Sequence, residues 1–109
     1  MLRMIQVYIP ENRVPYMQTR LRGVAAQFGG YTETHGVGRW VNPKTVELVS
    51  ERVSIITVGI PFVDTKKARE AFDLAVYNLR LMLVEPLLRK YGEQAVLLVG
   101  HDNVGRIYT

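Results

Sequence analysis

Residues 31–60 read YTETHGVGRWVNPKTVELVSERVSIITVGI, and this stretch decides the fold. Tyr31 to Val41 is rich in Thr and aromatic residues and reads as a strand, interrupted by Gly36 and Gly38. Two glycines two positions apart share one face, which predicts a bulge or a close approach by another group. Asn42-Pro43-Lys44-Thr45 is a turn, with Pro43 preset for its first central position. Val46 to Ile60 then predicts a long strand, strongest at Val53 to Val58. Together these segments form a hairpin in the middle of the chain.

A strand and a helix precede the hairpin. Ile5, Val7 and Ile9 alternate with Met4, Gln6 and Tyr8, the period of a half-buried strand that Pro10 ends. Asn12 is placed to cap a helix with Pro15 in its first turn. Val14, Met17, Leu21, Val24, Ala25 and Phe28 give that helix one apolar stripe, and Gly29-Gly30 stops it.

A helix and a strand follow the hairpin. Asp64 or Thr65 caps a helix whose buried face is Ala68, Phe72, Ala75, Val76, Leu79, Met82, Leu83 and Leu87. Pro86 predicts a kink or break near Glu85, because it cannot donate to the carbonyl of Met82. Gly92 ends the helix, Ala95 to Val99 is an apolar strand, and Gly100-His101-Asp102-Asn103 turns into a short return strand at 104–108. The order predicts one α+β domain over 1–109: a ferredoxin-like (PII-like) β-α-β-β-α-β fold with an antiparallel sheet, helices on one face and an extra C-terminal strand.

Composition bounds the function. The chain has 109 residues, 48% of them hydrophobic and 22% charged, which suits a folded chain with a modest core. With no cysteine, disulfides and thiolate metal sites are excluded. The N-terminus lacks the pattern of a secretory signal, and the longest apolar run, Leu81 to Val84, is too short to span a bilayer. A cytoplasmic protein without membrane contact is expected. The net charge of +4 is scattered along the chain, a pattern that reads as solvated surface before it reads as a nucleic-acid footprint.

Three places could carry chemistry. The sheet face left free by the helices could hold a ligand, with Tyr8, Tyr31 and Trp40 to line it. Glu33, His35 and Arg39 share one face of their strand by alternation, with Glu47, Glu51 and Arg52 across the hairpin. A carboxylate and an imidazole so spaced suit acid–base work or a cation, but equal numbers of Glu and Arg read first as cross-strand ion pairs. Thr34, Gly36, Gly38 and Trp40 then face the other way unless a bulge intervenes. Trp40 either packs under the helices as core or stands beside a glycine-lined slot that suits a planar ligand or a partner side chain. The run Gly100-His101-Asp102-Asn103 reads as a turn, not a metal site, because neighbouring residues rarely converge on one ion. No metal and no cofactor is expected. Ser50 and Ser54 lie mid-strand, which argues against a serine nucleophile.

Phe28-Gly29-Gly30-Tyr31-Thr32, Gly36-Val37-Gly38-Arg39-Trp40, the Glu47–Val58 strand and Gly92-Glu93-Gln94-Ala95-Val96-Leu97 resemble a group of small proteins from phages, plasmids and bacterial genomes. Glu33-Thr34, Gly38-Arg39-Trp40, Glu93 to Leu98 and Gly105 to Tyr108 also resemble the phage S-adenosylmethionine-degrading enzymes (lyases). That resemblance implies a PII-like trimer with active sites between subunits. At the position of that family's functional glutamate this chain has Asn42, with Glu47 several residues on.

The sequence therefore predicts a small homo-oligomer, dimer or trimer, that binds a nucleotide-like ligand or a host protein without catalysis of its own. Trp40, Arg39, His35, Tyr31, Gly36 and Gly38 are its binding residues. The alternative is a lyase with Glu33 or Glu47 as catalytic carboxylate. Behind both comes a nucleic-acid-binding module using Trp40, Tyr8 and the arginines.

Overall fold

Alternation in the first strand carries through to burial. In the computed structural model, which describes residues 1–42, 44–100 and 104–109, β1 spans Leu2–Pro10, with Ile5, Val7 and Ile9 fully buried. The helical segment that follows differs from expectation. Glu11–Met17 winds as a tight 3₁₀ segment with no side-chain cap, and the α-helix α1 begins only at Gln18 and runs to Phe28. Pro15 lies inside the tight segment, where its missing N–H removes an α-helical bond, so Asn12 caps nothing. Gly29 closes α1 in the left-handed conformation, φ 79°.

Strands β2 (Thr32–Val41) and β3 (Leu48–Pro61) pair in one unbroken register from Thr32–Thr57 to Val41–Leu48. The bulge expected at Gly36 and Gly38 is absent, because both glycines meet ordinary cross-strand partners, Val53 and Glu51. Val46, expected in the strand, belongs to the turn. Asn42 holds that turn: its Oδ1 accepts from the Lys44 N–H at 2.9 Å, and its carbonyl accepts from the Val46 N–H at 2.7 Å. The expected role of Pro43 lies outside the described residues. The turn places Val46 at φ 59°, where a β-branched residue costs about 1–2 kcal/mol and glycine or asparagine would sit more easily.

Helix α2 (Lys66–Leu79) is capped by Thr65, whose Oγ1 accepts from the Ala68 N–H at 3.2 Å. Ahead of Pro86 the regular α-helix is interrupted, as expected near Glu85. It widens into a π turn over Arg80–Val84, with the Glu85 N–H donating to the Arg80 carbonyl, then continues as α3 (Glu85–Arg89) with Pro86 at its start. The extra residue in the wide turn brings Val84 inward beside Leu83, and both are buried. Pro86 thus occupies a position where no N–H is needed. Pro86→Ala is expected to change stability by less than about 1 kcal/mol, against about 3 kcal/mol for a proline in a regular helix interior. Chemical denaturation of the two proteins checks this.

Strands β4 (Val96–Gly100) and β5 (Val104–Tyr108) complete the sheet; the turn expected between them at His101, Asp102 and Asn103 lies outside the described residues. The fold is α+β, with a five-stranded sheet of order β2-β3-β1-β4-β5 in which every neighbouring pair is antiparallel. Ile5, Val7, Ile9, Ile56, Val58, Val96 and Leu98 of the sheet form one core with Met17, Leu21, Val24, Phe72, Leu79, Leu83 and Leu87 of the helical segments. The helical segments therefore cover one face of the sheet.

Candidate functional site: the open sheet face

Residues directly paired in a ladder point to the same side. The buried set above fixes the helix side, so the intervening residues form the other. On β1 these are Leu2, Met4, Gln6 and Tyr8, and their β3 partners are Pro61, Gly59, Thr57 and Ile55. Thr32, Thr34, Gly36, Gly38 and Trp40 continue the face across β2, and Val99, Leu97, Gly105 and Ile107 across β4 and β5. Among the described strand positions of this face, Glu51 is the one charged residue. Met4, Trp40 and Ile107 are exposed. An open sheet face would ordinarily carry charged residues; this one is almost uncharged, mixing apolar side chains with the neutral polar Gln6, Thr32, Thr34 and Thr57.

The sheet divides the binding residues expected from sequence. Trp40, Gly36 and Gly38 lie on the open face. His35 and Arg39 point the other way, as does Glu33. Tyr31 does not line the open face; it precedes β2 and packs against the core. Tyr8 does lie on the open face, paired with Ile55. Glu47 sits in the hairpin turn, away from Glu33, and its carbonyl accepts from the Asn42 N–H at 2.9 Å.

The slot expected beside the indole is filled from within. A Cβ on Gly38 would lie 3.9 Å from Cζ3 of Trp40 and 3.8 Å from a Val53 methyl, so the indole and Val53 lean over the glycine. Gly36 is flanked in the same way by Val53 and Ile55. Val53 is consequently only 9% exposed on the helix-free side, while Trp40 remains 44% exposed. The glycines let the indole lie down on the sheet and present an apolar platform.

On the opposite side the register brings together a chain that alternation alone could not show. Ser54 Oγ lies 3.3 Å from His35 Nδ1, and His35 Nε2 lies 3.2 Å from a Glu33 carboxylate oxygen. The order serine, imidazole, carboxylate is that of a nucleophile relay. Ser54, however, is 0% exposed and sits mid-strand, where no substrate carbonyl can reach it. His35 satisfies the hydroxyl of a serine buried in the sheet, and that is sufficient reason for the contact.

The margin of the open face is polar. Arg13 Nε pairs with Glu93 at 2.8 Å, and Arg13 Nη2 donates to the Tyr91 carbonyl at 3.1 Å. Burial raises the Glu51 carboxyl above its ordinary pKa, repulsion from Glu93 adds to this, and Arg13 partly offsets it. A cleft of about 430 Å³ opens beside it, lined by Glu11, Asn12, Glu51 and Arg52. Sequence reading missed this group because Arg13 and Glu93 are 80 positions apart. Among the described residues, no three His, Asp or Glu side chains are placed to hold a metal ion.

Folding thus makes Glu51 hold its proton more tightly, so its ionisation opposes folding once pH rises above the ordinary value of 4.5. Below that value Glu51 is protonated in both folded and unfolded chains, and the effect disappears. Glu51→Gln is expected to raise the melting temperature at pH 7 and to match the unsubstituted protein near pH 3. Thermal melts across that range measure the gap. A gap that persists unchanged at low pH would assign it to something other than the charge.

Comparison of the chain with protein families, with curated proteins and with solved structures finds no match to any of them.

Proposed function

We propose that this chain is a small binding protein of ferredoxin-like, PII-like architecture that assembles with itself and catalyses no reaction of its own. The β-α-β-β-α-β order and the central position of β1 and β3 in the sheet support the architecture. The observation that carries the function is the open face, almost uncharged across five strands, with Glu51 as its one charge and exposed apolar side chains at Leu2, Met4, Trp40 and Ile107. The largest apolar patch of a typical monomer, about 300–600 Å², is often a functional surface. A nucleic-acid platform needs lysine or arginine to meet phosphates, and the strand positions of this face carry neither. A second copy of the same uncharged surface fits it better.

In this reading a small ligand sits at the margin of the contact, in the cleft beside Glu51 where Glu11, Asn12 and Arg52 offer polar groups. The enzyme alternative is weaker, since Glu33 is engaged with His35 and Glu47 lies in the hairpin turn. Sedimentation over a wide concentration range, followed by native mass spectrometry of protein taken directly from cells, tests the proposal. A dimer or trimer retaining a small molecule is the expected result. A monomer at high micromolar concentration overturns the assembly, and product formed from S-adenosylmethionine overturns the non-enzymatic reading.

A further inference from the structure

The β2–β3 hairpin outruns the rest of the sheet. β1 leaves β3 at the Pro10–Val53 pair, whereas β2 stays with β3 as far as Val41–Leu48. Residues 37–41 and 48–52 therefore form a ribbon of two strands with no third strand beside it. Such a ribbon is marginally stable in water unless something packs on it. Its apolar side chains lie on both faces and are exposed: Trp40 on the open side, and Val37, Val41 and Leu48 on the other.

At the tip stands Val46, 77% exposed and left-handed at φ 59°. Glycine or asparagine would take that conformation with less strain and no apolar surface in water. Valine is unfavourable there on both counts. Its side chain is useful only against another surface.

We propose that the hairpin tip is an assembly arm that closes over a second copy of this chain, against the margin of that copy's open sheet face. This rests on the reading of the open face as the subunit contact, and it adds the element that completes the contact. Five strands about 4.8 Å apart and about 25 Å long give the face an area on the order of 500 Å². A standard stable interface takes about 800 Å² from each partner, so the face alone falls short. The two sides of the ribbon add on the order of 300 Å². Trp40 and Val49, paired with each other, extend the open face onto the arm without a break. The partner is a second copy because the two surfaces complement each other: the open face carries the single charge of Glu51, and the far side of the arm carries the exposed Arg39 and Arg52.

Val46→Asn and Leu48→Lys, compared with Ile55→Lys at the centre of the face, test the arm. In sedimentation across a concentration series, each tip substitution is expected to weaken self-association at least ten-fold. In dilute protein Val46→Asn is expected to raise the melting temperature, and Leu48→Lys to leave it unchanged. If both tip variants associate like the unsubstituted protein while Ile55→Lys is monomeric, the arm is overturned and the face contact stands. If Leu48→Lys is monomeric while Ile55→Lys associates normally, the docking of arm on face is overturned. An unsubstituted protein that stays monomeric, or that binds only a different protein, overturns both.

Discussion

Phe72→Ala is expected to destabilise the fold by about 3–5 kcal/mol, as truncation of a buried aromatic generally does. The total stability of a domain of this size is only about 5–15 kcal/mol. Phe72 is 1% exposed and projects from α2 onto the sheet. Its ring meets the edge of Phe62 at 85° with centroids 6.2 Å apart, a favourable geometry for aromatic pairs. The Arg3 guanidinium caps the other ring of this pair, 3.8 Å from the Phe62 centroid. Truncation leaves a cavity between α2 and the end of β3 and removes the surface on which Phe62 rests. Denaturant titration reads the loss. A change below about 1 kcal/mol would mean that α2 does not cover this face of the sheet.

Ile55→Lys is expected to weaken self-association at least about 100-fold, equivalent to about 2.8 kcal/mol. Ile55 lies in the middle of the open face, between Tyr8 on β1 and Thr34 on β2. A lysine there must lose its hydration when the faces meet, and no carboxylate stands at the neighbouring paired positions to receive it. In the free chain its ammonium reaches water, so monomer stability should change by no more than about 1 kcal/mol. Concentration-dependent sedimentation separates the two effects. An undiminished association constant would remove the open face from the contact. Phe72 and Ile55 thus give opposite results from the two sides of one sheet, a loss of folding and a loss of assembly.

The sequence by itself determined the order of the elements and the inner side of β1 and of the helices. Ile5, Val7 and Ile9 are buried as their alternation requires, and Met17, Leu21, Val24, Phe72, Leu79, Leu83 and Leu87 as their helical spacing requires. Gly29 is left-handed where the helix stops, and the chain is irregular at Pro86. These are local properties, set by side chains two to four positions apart on one element. Local rules also explain the errors. Two glycines in a strand permit a bulge without requiring one, and a proline near a helix start permits a 3₁₀ segment as well as a capped α-helix. The interruption expected near Pro86 is present, but its form, a π turn, is one that local rules leave open.

Only the tertiary structure decided what these elements bring together. Alternation sets Trp40 and His35 on opposite sides of β2, but only the pairing with β3 shows that no bulge reverses this and which side the helices leave open. The Ser54–His35 contact spans 19 positions and the Arg13–Glu93 pair spans 80. The raised pKa of Glu51 exists because the fold buries it and sets Glu93 near it. The outrunning of β1 by the hairpin follows from where the ladder beyond Pro10 gives way to the 3₁₀ segment. Periodicity states which side of an element is apolar; it carries no information about which distant element is paired with it, or how far. The core was therefore legible from residue spacing, whereas the candidate site, made of register, ladder ends and long-range charge pairs, was not.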